Sequence, residues 1–252
     1  MRITILGSGT SVGVPQIGCT CAVCTSTDRR DKRLRTSALV ETNDARLLID
    51  CGPDFRQQAL TLPFKRIDAV LLTHEHYDHV GGLDDLRPFG IFNDIPVFAE
   101  PHLTKVLCER MPYCFVEHTY PGAPHIYLNR IQPGKALYVN GTTIMPLRVM
   151  HGKMGIVGFR IGPLGYITDM SEMPEQTYNL LGGIQMLIVN ALRFKPHPTH
   201  QNLSQALALS ERLAPQKTYL IHMSHEIGLH ELTQRQLPNN VFLAYDGLVI
   251  DL

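Results

Sequence analysis

Short apolar runs, each closed by glycine, proline or a polar cluster, recur along the chain and read as buried strands. Arg2–Leu6 is the first such run, stopped by Gly7-Ser8-Gly9-Thr10-Ser11. Residues 36–42 and 46–50 read as a hairpin around Asn43-Asp44. Further strands are expected at 68–72, 96–98, 137–139, 143–149, 156–161, 164–168, 186–189, 218–221, 241–244 and 248–250. Helical stretches interleave: Asp54–Leu62, with Asp54 as N-cap and Pro63 as its stop, then Val80–Leu86, 102–111 and Leu203–Leu213. Residues 112–135 are rich in Pro, Gly, Tyr and His without a period, and read as an irregular segment beside a site. With no repeat, linker or low-complexity tract, residues 1–252 read as one α/β or α+β domain with room for a sizeable core.

Composition narrows the partners. Lys plus Arg balance Asp plus Glu at 23 each, which argues against a broad electrostatic footprint for nucleic acid. No apolar stretch reaches the length of a membrane span and no leader is legible, so the expected location is the cytoplasm. Of six cysteines, Cys19, Cys21 and Cys24 are clustered, whereas Cys51, Cys108 and Cys114 are scattered. In a cytosolic chain clustered thiols point to metal rather than disulfides, and the scattered three read as small hydrophobes.

The densest chemistry is Thr73-His74-Glu75-His76-Tyr77-Asp78-His79, directly after the apolar run Ala69–Leu72. Imidazoles and carboxylates are the ligands of zinc, manganese and iron. His74 and His76 cannot face one way on a helix, but at the mouth of a strand residues two apart share a side and converge. Asp78 and His79 fall in the following turn, within reach of a second ion. Three later residues repeat the construction, each delivered by the end of an apolar strand: His151, Asp169 and His222.

The motif Thr73–His79 with these three residues resembles the metallo-β-lactamase fold superfamily over essentially the whole chain. The resemblance implies a four-layer αββα sandwich of two mixed sheets flanked by helices. It also implies that His74, His76 and His151 hold one divalent ion, that Asp78, His79 and His222 hold another, and that Asp169 bridges them. Such a pair of ions shares a hydroxide that is nucleophilic near neutral pH. Asp78 would then also orient the nucleophile.

Cys19-Thr20-Cys21-Ala22-Val23-Cys24 is a C-x-C-x-x-C loop, and a structural zinc wants a fourth ligand. His225, in His222-Met223-Ser224-His225, supplies it. The run Gly7–Pro15, the thiolate loop and H-x-x-S-H together resemble the PhnP-type phosphodiesterases, relatives of ribonuclease Z. That resemblance implies hydrolysis of a cyclic phosphodiester on a phosphorylated ribose, with manganese or zinc, or else iron, in the paired site and one structural zinc. It also places a histidine just before the helix at 203, matching His200, as the general acid. His197 is the weaker candidate for that role.

The expected activity is therefore metal-dependent phosphodiester hydrolysis of a small molecule. Three alternatives stand beside it: ribonuclease Z-like processing of transfer RNA precursors, hydrolysis of a lactone or thioester, and a non-catalytic metal-bound scaffold. Neutral charge and the lack of a basic insertion weigh against the first, and the complete ligand set weighs against the last. Relatives of this kind often form homodimers, although no interface is legible in the sequence.

Overall fold

Two faces of each strand bury different things, and that alternation builds the layers. In the computed structural model, which describes residues 1–115 and 122–252, fourteen strands form two seven-stranded sheets. The first sheet contains β1 (Arg2–Gly7), β2 (Ser37–Glu41), β3 (Arg46–Ile49), β4 (Ala69–Leu71), β5 (Ile95–Ala99) and β6 (Ile126–Arg130). Its far edge is the last strand, β14 (Val249–Asp251), so the order is β14-β1-β2-β3-β4-β5-β6. The second sheet contains β7 (Leu137–Val139), β8 (Thr142–His151), β9 (Met154–Ile161), β10 (Leu164–Ile167), β11 (Met186–Asn190), β12 (Lys217–Ile221) and β13 (Val241–Leu243), in the order β13-β12-β11-β10-β9-β8-β7. Each sheet is antiparallel at one end and parallel at the other.

Leu47 and Ile49 point between the sheets, where they meet Phe159, Ile161, Tyr166 and Ile188; Leu48 points outward against Phe55, Leu83 and Phe89. On β12, Tyr219 and Ile221 face the inter-sheet core and Leu220 faces the helix layer. Helices α1 (Phe55–Ala59), α2 (Tyr77–Val80) and α3 (Pro101–Arg110) cover the first sheet through Phe55, Val80, Leu103 and Leu107. Helices α4 (Glu175–Leu181) and α5 (Leu203–Leu213) cover the second through Leu181, Leu203, Ala206 and Leu209. The short α6 (His230–Gln234) lies beside β13, whose free edge is closed by the Gln234 amide: it donates to Val241 O and accepts from Leu243 N. The chain thus adopts the expected four-layer αββα sandwich. Each fully buried Leu, Ile or Phe stabilises it by about 1.5–3 kcal/mol.

Three local expectations are corrected. Asp54 precedes α1 but caps nothing, because its carboxylate accepts from Arg35 N and Arg35 Nη1, both at 2.8 Å. The stretch expected as one helix at 80–86 divides into α2 and a 3-10 segment, Leu83–Ile91, containing Pro88. Within 112–135, residues 126–130 form β6, paired in parallel with β5, so the segment is not wholly irregular; residues 116–121 lie outside the described ones. No helix among the described residues is long and apolar enough to cross a membrane.

Candidate active site

Both sheets deliver side chains to one rim of the sandwich. β4 leads to His74 and His76, with Asp78 and His79 on α2; β8 ends at His151, β10 leads to Asp169, and β12 leads to His222. Close backbone approach makes this possible. A Cβ on Gly52 would lie 2.0 Å from Asp78 O, and one on Gly82 would lie 2.0 Å from Gly52 O. Only glycine fits at either point.

Three residues at these strand exits hold left-handed backbone: Asp50 (φ 58°), Asp169 (φ 56°) and His222 (φ 53°). Each such turn costs of order 1–3 kcal/mol and persists only where the surroundings enforce it. Here the turn swings a polar side chain into one shared space.

The rings of His74 and His76 lie 4.6 Å apart, and those of His76 and His151 5.1 Å apart. Asp78, His79, Asp169 and His222 present ligand atoms within 4.8 Å of one another, and so do His151, Asp169 and His200. Asp169 is the hub, with Oδ1 3.3 Å from His79 Nε2 and 3.1 Å from His222 Nδ1. Its Oδ2 lies 3.8 Å from His74 Nε2 and 3.3 Å from His200 Nε2. The structure therefore gathers all seven residues that the sequence singled out, with His200 beside them.

The partners of the other ring nitrogens fix the tautomers. His79 Nδ1 donates to Asp50 Oδ2 at 2.7 Å, and His151 Nδ1 donates to Asp169 O at 2.7 Å. Thr73 Oγ1 gives its proton to Asp50, so it accepts from His74 Nδ1 at 2.9 Å. Each ring is left with its Nε2 lone pair for the site, the arrangement that orients histidines on a metal. His74 Nε2, His79 Nε2 and Asp78 Oδ2 are buried without a hydrogen-bond partner. Orphaned buried acceptors of this kind fit a divalent ion.

The electrostatics agree. Burial alone would lower the pKa of His79, but Asp169, Asp50 and Asp78 outweigh it and hold it well above the usual imidazole range. Burial would raise Asp169, yet His222 and His79 hold it well below the usual carboxylate range. Burial lowers His74 and His151, and it takes His222 down to about 4 against the pull of Asp169. The carboxylates thus demand positive charge at a place where most of the imidazoles stay neutral. A metal cation satisfies both conditions.

Asp50 is the residue that sequence reasoning missed. It is wholly buried, and besides His79 it accepts from Thr73 N and Thr73 Oγ1, both at 2.9 Å. Its only sequence signal is a polar residue closing the strand Leu47–Ile49.

His200 and His197 both lie between β11 and α5, but they are not equivalent. His200 stacks on His222 with ring centroids 5.0 Å apart and meets His151 edge-on at 4.7 Å. His197 sits behind it, with Nδ1 3.1 Å from His200 Nδ1. Burial, then His200 and Arg193, lower the pKa of His197.

The thiol cluster closes as the sequence suggested. Cys19 and Cys21 Sγ each lie 3.2 Å from His225 Nδ1, and Cys24 Sγ lies 3.5 Å from it. A zinc tetrahedron with Zn–S of about 2.3 Å and Zn–N of about 2.0 Å has N-to-S edges of about 3.5 Å. An N–H bond from Cys24, then His225, lowers Cys21 to about 6, whereas burial raises Cys24 to about 11. The first is a ready thiolate, and a bound cation would ionise the second.

The family model of the beta-lactamase superfamily domain matches residues 45–223. A Porphyromonas gingivalis (strain ATCC BAA-308 / W83) protein named octanoyltransferase is 44% identical over 250 residues, 98% of this chain but 51% of that protein. The chain thus spans about half the length of that relative. The anti-Pycsar protein Apyc1 of Paenibacillus harenae is 30% identical over 210 residues, 77% of this chain and 85% of that protein. The crystal structure of a diphosphatase from the PhnP family superposes with a TM-score of 0.92 at 41% identity, covering 99% of this chain and 97% of that one.

Proposed function

The chain belongs to the beta-lactamase superfamily, and on that premise we propose that it is a divalent-metal-dependent hydrolase that cleaves a small phosphodiester. The observation that carries the reading is His200, whose Nε2 stands 3.3 Å from Asp169 Oδ2 at the edge of the ligand cluster. Displacing an alkoxide from phosphorus needs a proton, and an imidazole poised there can give one. The similarity to a PhnP-family diphosphatase supports attack at phosphorus.

His74, His76, His151, Asp78, His79, Asp169 and His222 would hold two divalent ions, manganese, zinc or iron. Such ions supply a hydroxide-strength nucleophile at neutral pH and neutralise charge that builds at phosphorus. The chain's own residues do the rest. Asp50 and Thr73 fix the imidazole protons away from the site, and Asp78 would align the attacking oxygen. Asp169 orients His200 Nε2, which protonates the leaving oxygen. The thiolates and His225 would hold a structural zinc that ties the N-terminal loop to the turn after β12. A cyclic phosphate on a phosphorylated ribose is the substrate we favour, in the cytoplasm.

His200→Ala tests this directly. Turnover of an alkyl phosphodiester should fall by roughly 10²–10⁴-fold, while an activated aryl diester, whose leaving group needs no proton, should lose only a few-fold. Equal losses on both would show that His200 binds rather than donates. The name of the Porphyromonas gingivalis relative favours a second reading, an octanoyl ester or thioester as substrate. An octanoyl thioester assayed beside the diesters separates the two.

A further inference from the structure

The loop that carries His197 and His200 has little backbone support of its own. Among the described residues, no main-chain to main-chain hydrogen bond secures residues 194–200. Such bonds close its base, from Leu192 N to Gln201 O at 2.9 Å, from Leu203 N to Arg193 O at 2.9 Å and from Gln201 N to Met170 O at 2.8 Å. Side chains grip the loop itself: Asn202 Nδ2 donates to Phe194 O at 3.3 Å, and Arg193 reaches further, with Nε on Lys195 O at 3.3 Å and Nη2 on Pro196 O at 3.0 Å. The remaining arm of that guanidinium, Nη1, donates to Glu226 Oε2 at 2.6 Å.

Glu226 follows His225 in the 3-10 turn His225–Ile227, which begins three residues after His222. The same turn is pinned to the start of the loop segment, since Ser224 N and Ser224 Oγ both donate to Leu192 O. Five consecutive residues thus reach the catalytic cluster, the thiol cluster and the strap on the histidine loop.

We infer that Arg193 and Glu226 are positioning residues for the proton donor, and that through them the thiol cluster governs where His200 stands. The inference rests on reading His200 as the general acid. A planar guanidinium bonded on three sides holds an orientation that one long flexible side chain alone does not. The 195–200 tip can therefore drift once the strap is cut, and small misplacements of a reacting group are expensive. Fixing His225 among three sulfurs fixes Glu226 beside it, and hence Arg193.

The test uses the zinc-loaded protein and two readouts. Backbone amide order parameters of His197, Thr199 and His200 report the loop, and rates on alkyl and activated aryl phosphodiesters report the acid. Arg193→Met should lower those order parameters from about 0.85 to below about 0.6. It should lower kcat on the alkyl diester by about tenfold, leaving KM and the aryl rate within about twofold. Arg193→Lys should recover part of the loss, and Glu226→Gln should reproduce it in milder form. Cys21→Ser should loosen the loop in the wild-type background yet add nothing to Arg193→Met. Unchanged order parameters in Arg193→Met overturn the strap. A looser loop with equal losses on both diesters overturns the positioning role. If the wild-type protein cleaves neither diester, the functional reading falls by itself, and the order parameters still decide whether the strap exists.

Discussion

Asp50→Asn probes the metal-site reading at a residue that would touch no ion. Asn keeps the size of the side chain and tolerates the left-handed backbone at φ 58°. What changes is one atom's sense: an amide N–H replaces the carboxylate oxygen that receives His79 Nδ1 at 2.7 Å, if the amide oxygen stays on Thr73 N and Oγ1. Two donors then face each other, so His79 must move its proton to Nε2. That atom lies 3.1 Å from Asp78 Oδ2 and 3.3 Å from Asp169 Oδ1, where the proton excludes a metal. Loss of a carboxylate behind a metal-binding histidine typically weakens affinity 10–100-fold, or about 1.4–2.7 kcal/mol. Chelator-competition titration of the variant should show that loss at the histidine site, with the thiol-bound ion retained and the circular dichroism unchanged. Asp50→Ala, by contrast, strands three buried donors at about 1–3 kcal/mol each and should unfold far more easily. Wild-type metal affinity in a folded Asp50→Asn protein would refute the claim that Asp50 sets the tautomer of His79.

Cys21→Ser should release the thiol-bound metal and lower the unfolding midpoint while changing aryl diester turnover little; full metal retention after gel filtration would contradict the cluster's role. Phe159→Ala, at a wholly buried inter-sheet position, should cost about 3–5 kcal/mol in denaturant unfolding, and a cost under about 1 kcal/mol would deny that this layer is the main core. Burial raises Asp246 from 3.8 to about 6. Its proton is thus held more tightly folded than unfolded. The contribution is fully present below about pH 4 and lost as pH rises through about 6, amounting to about 3 kcal/mol at most. The difference in unfolding free energy between wild type and Asp246→Asn should shrink across that window, and a flat difference would refute the shift.

What the sequence determined by itself was local. Thr73–His79 crowds four of the expected ligands into seven positions after an apolar run, and Cys19, Cys21 and Cys24 share one short loop, so chain connectivity alone brings each set together. Apolar runs of strand length likewise announced most of both sheets. Short or one-sided elements stayed hidden. β6 sits at a sheet edge with Tyr127 exposed, and α4 and α6 span seven and five residues, too few to display a helical period. Only the tertiary structure decided which distant groups meet. Asp50 reads as an ordinary strand-end residue until β3 lies parallel to β4 and sets its carboxylate under Thr73 and His79. His197 and His200 look alike in sequence, and only the fold sets one ring on Asp169 and His222, beyond the ends of β10 and β12, and the other behind it. The physical reason is the same in each case. A side chain's proton, charge and direction are set by burial and by partners far along the chain, and those partners exist only once the two sheets have closed on each other.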